Sequence, residues 1–125
     1  VVRLFSILSQ QGMVGILPDQ VPGGSGGIFA PFMGVQANTV KLVSRLIDRT
    51  QCEVVSLCAI RRPNGEGFDM VFRPAEGEIY NKDIEVSVSA LNRSIEACLK
   101  DQPEQYQWEY KRFKGAEIDG RKVYR

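Results

Sequence analysis

Histidine is entirely absent from these 125 residues, which removes the side chain that most often serves as a general base near neutral pH. A complete site for base-assisted chemistry is therefore not expected within the chain, and a reaction centre it serves should be shared with other polypeptide. No apolar run approaches the ~20 residues needed to span a bilayer, and the start carries no cleavable signal pattern. An excess of one charge is missing too: 16 basic against 15 acidic residues leave a net +1. Composition thus offers no general electrostatic case for nucleic acid or for an acidic partner. Cys52, Cys58 and Cys98 are odd in number, lack C-x-x-C spacing and lie in apolar surroundings. That argues against a disulfide framework or a zinc site and for a reducing compartment. With no histidine to activate them, Cys58 and Cys98 read as buried structural thiols rather than nucleophiles.

What is present is an ordinary soluble composition, 43% hydrophobic and 25% charged, enough for one core and a single domain over residues 1–125. The first residues, Val-Val-Arg-Leu-Phe, read as the middle of an amphipathic element, so a piece of a longer chain is expected. Leu4, Phe5, Ile7 and Leu8 recur at helical spacing before Gly12, predicting a helix over about residues 2–11. Met13–Leu17 is a short apolar run ended by Pro18, the pattern of a buried parallel strand. Residues 18–37 carry Pro18, Pro22 and Pro31 and five glycines, and read as one long loop. Asn38 is placed to cap a helix with Val40, Val43, Leu46 and Ile47 on its inner face and Lys41, Arg45, Asp48 and Arg49 outward. Val54–Ile60 is apolar on both faces and reads as a buried strand. The turn Arg61-Arg62-Pro63-Asn64-Gly65 joins it to an alternating run with Phe68, Met70 and Phe72, giving an antiparallel hairpin. Asp83 opens a long helix with Ile84, Val88, Leu91, Ile95 and Leu99 in one stripe, and Pro103 closes it or starts the next. The order predicts an α/β layer of mixed parallel and antiparallel strands flanked by helices.

Chemistry concentrates in two places. Leu17-Pro18-Asp19-Gln20, followed by Gly23-Gly24-Ser25-Gly26-Gly27, sets a polar, permissive loop at the end of an apolar run, where open α/β sheets bind ligands. Asp19 fits four roles there: a catalytic carboxylate, the orienter of a neighbouring histidine, an acceptor for substrate hydroxyls, or a group satisfying backbone donors in its own turn. The glycines match neither G-x-x-x-x-G-K-[ST] nor a G-x-G-x-x-G opening a helix, and a plain mobile loop is the favoured reading. Phe29, Phe32 and Met33 either line an apolar channel for a chain-like ligand or fold back on the core. The second place is Tyr106, Trp108, Tyr110, Lys111, Arg112, Phe113 and Lys114, which mixes aromatic faces with cations. Stacking on bases or seating of phosphates is one use. A helix with aromatics packed inward and cations in water is the commoner one, and no nucleic-acid partner is expected.

Together these blocks resemble the bacterial lipid A biosynthesis acyltransferase family, the late lauroyl and myristoyl transferases. Val14-Gly15-Ile16-Leu17-Pro18-Asp19-Gln20-Val21-Pro22-Gly23-Gly24, with Ile28-Phe29-Ala30-Pro31-Phe32-Met33-Gly34 behind it, is similar to the family's P-D-Q/H, glycines and aromatic-Pro-aromatic segment. Pro103-Glu104-Gln105-Tyr106-Gln107-Trp108, leading into Lys111-Arg112-Phe113-Lys114, is similar to its terminal P-E-Q-Y/W-x-W and R-F/W-K signatures.

The resemblance implies the C-terminal half of a domain with the glycerolipid acyltransferase fold, its catalytic H-x-x-x-x-D/E motif lying upstream, so that no catalytic residue stands in this chain. It implies transfer of an acyl chain from acyl carrier protein to a hydroxyl of a lipid A precursor, without cofactor or metal. Asp19 and Gln20 would then form a substrate-positioning turn, and Arg3 would match an arginine that contacts phosphate. Glu104, Gln105, Lys111 and Arg112 would supply structural support and anion contacts, and Phe29, Phe32 and Met33 would border an acyl groove. Membrane association would come from an N-terminal hydrophobic segment, and the work would be done at the cytoplasmic face of the inner membrane of a Gram-negative bacterium. The fragment alone would be inactive. The rival expectation is a noncatalytic α/β module that binds a phosphorylated or lipid ligand, and an upstream H-x-x-x-x-D/E motif separates the two.

Overall fold

The computed structural model describes residues 1–124. Its first helix, α1 (Val2–Ser9), lays its apolar side on the later helix α2 (Leu42–Thr50), with the Arg49 guanidinium 5.0 Å from the Phe5 ring centre. The helix stops as expected near Gly12, though by close approach rather than by glycine's left-handed freedom. Gln11 takes the positive φ of 62°, while the Gly12 N–H donates to the Ile7 carbonyl at 2.8 Å, where a side-chain carbon would collide with Ile7.

Residues 13–17 do not form the buried parallel strand that their apolar run suggests. They carry no strand pairing, and Met13 and Leu17 are 93% and 68% exposed. A parallel strand exists only beside a neighbour that accepts and donates its hydrogen bonds, and none stands there among the described residues.

The supposed loop over residues 18–37 is corrected more sharply. From Gly27 onward it is an antiparallel hairpin, β1 (Gly27–Phe32) and β2 (Val35–Val40), registered from Gly27 opposite Val40 to Phe32 opposite Val35. Its two-residue turn, Met33-Gly34, holds both residues at positive φ, 51° and 77°, the twist that suits a tight hairpin. Alternation sends Ala30, Phe32, Ala37 and Thr39 inward and Phe29 and Pro31 outward. Pro31 is tolerated because a two-stranded ribbon is all edge. The glycine run is partly structural: a side chain at Gly27 would strike Asn38, Pro22 and the Thr39 carbonyl.

Because residues 35–40 alternate and pair with β1, Asn38 lies in a strand and does not cap α2, which starts at Leu42 after Lys41. The expected inner face of α2 is otherwise present: Val43, Leu46 and Ile47 are buried and Arg45, Asp48 and Arg49 are exposed. The hairpin of β3 (Val55–Arg61) and β4 (Phe68–Pro74) forms as predicted, Val55 opposite Pro74 and Arg61 opposite Phe68. Its burial differs from expectation. Ser56, Cys58 and Ile60 lie on the partly covered side of the sheet, whereas Val55, Leu57, Phe68, Met70 and Phe72 are 50–65% exposed.

Helix α3 (Ile84–Leu99) is the hub, packed against β1, β2, β3, α2 and the 3₁₀ turn Gly77–Tyr80. The Asp83 carboxylate caps it by accepting from the Glu85 N–H at 2.9 Å. Val43, Ile47, Ile79, Ala90 and Leu91 make the apolar core. Ser44 bonds Ser87 at 2.7 Å and Ser87 donates to the Ile79 carbonyl at 2.6 Å, joining both helices to that turn. After Pro103 no second α-helix follows among the described residues. A 3₁₀ turn, Pro103–Gln105, leads into successive turns, held because Trp108 Nε1 donates to the Pro103 carbonyl at 2.7 Å and Gln105 bridges the main chain of Arg61. A small ribbon, β5 (Glu117–Ile118) and β6 (Arg121–Lys122), occupies the polar tail. The chain is thus α/β, and its three two-stranded ribbons are all antiparallel among the described residues. Among the described residues no helix is long and apolar enough to cross a membrane.

Candidate functional site: a clasp between the Pro-Asp-Gln turn and the terminal segment

The inner face of the β1–β2 hairpin meets α3 at Asn92, which is fully buried. Its side-chain amide donates to the Pro31 carbonyl at 2.9 Å and to Thr39 Oγ1 at 3.0 Å, and Thr39 Oγ1 donates to the Ala37 carbonyl at 2.9 Å. Arg112 enters this polar patch from the terminal segment and is only 1% exposed. Its Nη1 donates to the Asn38 carbonyl at 2.7 Å, and its Nη2 to Thr39 Oγ1 at 2.8 Å and Asn92 Oδ1 at 3.2 Å. The guanidinium stacks over Phe32 with 5.0 Å to the ring centre, and Phe32 is flanked by Tyr106 at 6.2 Å and Phe113 at 5.9 Å. Among the described residues no carboxylate lies within ion-pair distance of Arg112. Burial accordingly lowers its pKa, and the neighbouring Tyr106, Asp19 and Tyr110 act against that fall.

The Pro-Asp-Gln turn joins the same assembly. Val21 N–H donates to the Tyr110 hydroxyl at 2.8 Å across 89 positions of sequence. Asp19 is partly buried beside Tyr106, whose phenol is pushed up to about 12, first by burial and then by the Asp19 charge. The Tyr106 hydroxyl and Arg112 Nε are both buried without a hydrogen-bond partner among the described residues, so the Asp19 influence acts without a bond of ordinary geometry. Asp19, Tyr106 and Arg112 therefore share one electrostatic environment with two unused polar atoms in it.

The remaining expected site residues disperse. Gln20 is exposed beside Asp19 and makes no side-chain bond among the described residues. Arg3 is exposed on α1, and neither a hydrogen bond nor an ion pair ties it to the cluster. Glu104 is exposed in its 3₁₀ turn, and Lys111 is exposed with Nζ 5.8 Å from the Tyr124 ring. Phe29, Phe32 and Met33 fall on different sides of their hairpin: Phe32 is sealed at 0% exposure, Phe29 is 52% exposed, and Met33 sits in the turn with its N–H bonded to Glu96 at 2.6 Å. Two surface hollows lie elsewhere. One of about 180 Å³ is lined by Ser44, Arg45, Gln51, Tyr80 and Lys82, and one of about 310 Å³ by Arg73, Glu76, Arg93 and Ser94. Sequence reading missed Thr39 and Asn92 as members of the cluster, and it singled out Tyr106 and Tyr110 in the terminal segment without their meeting with the Pro-Asp-Gln turn. Asn92 did leave a signal, a polar side chain set beside Leu91 in the apolar stretch of α3.

Structure and site define an α/β unit in which a Pro-Asp-Gln turn is clasped by an aromatic and basic terminal segment, the two blocks that carry the resemblance. The profile of the bacterial lipid A biosynthesis acyltransferase family matches residues 2–115, and the chain belongs to that family. It is 29% identical over 112 residues to the lipid A biosynthesis lauroyltransferase of Escherichia coli (strain K12), covering 89% of this chain and 37% of that protein. It is 30% identical over 111 residues to the lipid A biosynthesis palmitoleoyltransferase of the same strain, covering 86% and 35%. A lipid A biosynthesis acyltransferase of Shigella flexneri matches to the same extent. The chain thus spans little more than a third of the length of the curated relatives it matches.

Proposed function

We propose that this chain forms one wall of the reaction centre of an acyltransferase, as the C-terminal part of a glycerolipid-acyltransferase-like sheet flanked by helices. The reaction moves a fatty acyl group from the thioester of acyl carrier protein to a hydroxyl of a lipid A precursor. The thioester carbon gains the hydroxyl oxygen, the carrier thiol leaves, and the hydroxyl proton passes to a base. With no histidine here, that base is assigned to upstream polypeptide, and the 125-residue chain by itself is inert. Asp19 and Gln20 position the acceptor. The exposed Arg3 and Lys111 are the cations suited to the acceptor's phosphates. The enzyme works at the cytoplasmic face of the inner membrane.

The observation that supports this most is the bond from Val21 N–H to the Tyr110 hydroxyl, with Asp19 beside Tyr106 and Arg112. A turn so fixed holds a carboxylate still, as positioning requires. The test uses the full-length parent with acyl carrier protein thioester and lipid A precursor. Acylated lipid is expected from the parent and not from the isolated chain, and Asp19→Ala in the parent should greatly reduce it. Tight lipid binding without any acyl transfer by the parent would instead select the noncatalytic binding module.

A further inference from the structure

We infer that the outer edge of β3, from Val55 to Ala59, is the docking site for a β-strand of the upstream polypeptide of the full-length protein, and that the helix connecting that strand covers the apolar face of the β3–β4 hairpin. This rests on the reading above of the chain as the C-terminal part of a longer acyltransferase.

The register fixes which main-chain groups of β3 look away from β4. Arg62 N–H donates to the Gly67 carbonyl at 2.9 Å and Ala75 N–H to the Val54 carbonyl at 3.2 Å. The even-numbered residues of β3 therefore bond to β4, and Val55, Leu57, Ala59 and Arg61 turn outward. At Arg61 the outward edge is taken: its N–H donates to Gln105 Oε1 at 2.7 Å and its carbonyl accepts from Gln105 Nε2 at 3.2 Å, the pair of bonds a neighbouring strand would make. At Val55, Leu57 and Ala59 the same groups have no partner among the described residues. Nor does Val55–Ala59 carry the proline or charge that keeps a free edge from pairing. The opposite edge, on β4, ends in Pro74, which has no N–H to give.

The face beside this edge is uncovered as well. Helix α3 packs against β3, whose partly covered side is Ser56, Cys58 and Ile60. On the other side Val55, Leu57, Phe68, Met70 and Phe72 are 50–65% exposed. A strand apolar on both faces belongs in a parallel sheet, where helices cover both sides and connect the strands. A lipid surface would cover the face but leave the edge N–H and C=O groups unsatisfied. Met13–Leu17 is a second apolar run without pairing. The terminal segment holds the turn after it through Tyr110 on Val21, and holds the end of β3 through Gln105 on Arg61. The incoming strand thus runs out where Gln105 begins, at the end of the sheet shared with the Pro-Asp-Gln turn. The matched stretch is only 37% and 35% of the curated relatives, so most of such a protein is free to supply strand and helix.

Two measurements on the full-length protein test this. In hydrogen exchange resolved to single amides, an open edge predicts alternation, with Ser56, Cys58 and Ile60 protected by β4 and Leu57 and Ala59 exchanging freely. The expected result is that Leu57 and Ala59 are slowed too, by about a hundredfold or more. Photo-crosslinking from p-benzoylphenylalanine placed at position 72 then identifies what lies on the face, and the expected products are intramolecular crosslinks to upstream peptides. Alternating exchange would overturn the inference. Crosslinks only to residues 13–17, to a second molecule or to lipid would overturn it too. Acyl transfer assayed on the same preparation keeps the two readings apart. Transfer with an open edge overturns the docking and leaves the acyltransferase reading intact, whereas a filled edge without transfer bears out the docking and removes the acyltransferase reading.

Discussion

The buried cluster of Arg112, Thr39 and Asn92 and the outer face of the β3–β4 hairpin invert the usual distribution of residues. In the first, a guanidinium, an amide and a threonine hydroxyl are buried at 0–1% exposure. In the second, Val55, Leu57, Phe68, Met70 and Phe72 face solvent at 50–65%. Buried polar groups persist when nearly all their bonds are made, and the cluster closes on the Asn38 carbonyl, Thr39 and Asn92. A contiguous exposed apolar face marks a surface of interaction. The clasp satisfies most of its own polar groups, whereas the hairpin leaves an apolar face exposed among the described residues. That is the form expected of a chain spanning little more than a third of its relatives.

The contrast breaks most readily at Arg112. Arg112→Met keeps length and apolar stem but leaves the Asn38 carbonyl, Thr39 and Asn92 short of a donor, and should lower stability by about 3–5 kcal/mol in urea denaturation. Asn92→Leu, which strips the amide from the Pro31 carbonyl and Thr39, should cost about 2–3 kcal/mol by the same measurement. On the other region, Phe72→Ser in the 125-residue chain should change stability by no more than about 0.5 kcal/mol. In a longer parent whose upstream polypeptide covers this face, the same change should cost about 2 kcal/mol or more. Equal, small effects in both would leave the hairpin face solvated in the parent too.

A pH profile gives the smallest effect. Tyr106 is held protonated to about 12, above the ordinary phenol near 10, by burial and by Asp19, against Arg112. Its contribution to stability is therefore complete below about pH 10 and is lost as pH rises from about 10 through 12. Asp19→Asn should shift that loss to lower pH relative to its own neutral baseline, because one of the charges that hold the proton is gone. The readout is the unfolding midpoint across that range beside tyrosine absorbance.

Local pattern made much of this legible. Helical spacing marked α1 and α3, Asp83 declared its own cap, and Arg-Pro-Asn-Gly announced the β3–β4 turn. Pro31 and the neighbouring glycines masked β1, because breaker residues argue against a strand unless the ribbon is known to be an edge. Residues up to 37 then read as loop, and Asn38 and Val40 read as the start of a helix only in company with Val43 and Leu46. Apolar runs at 13–17 and 54–60 read as buried because sequence records what a side chain prefers and not whether a neighbour is there to cover it. Asp19 and Arg112 were identifiable as residues of interest, but their meeting through Tyr106 and Tyr110 was not. The bond that joins the two segments, Val21 N–H to the Tyr110 hydroxyl, spans 89 positions and depends on turns, not on any periodic element.

The claim beneath both the function and the clasp is that the Pro-Asp-Gln turn and the terminal segment act as one unit in catalysis. A double-mutant cycle on kcat in the full-length enzyme, Asp19→Asn against Tyr110→Phe, which removes the hydroxyl that holds the Val21 N–H, measures this directly. Adding Tyr110→Phe to Asp19→Asn should cost little further activity, giving a coupling of about 1 kcal/mol or more. Strictly additive losses would contradict the account, showing two residues that serve the reaction, if at all, independently of each other.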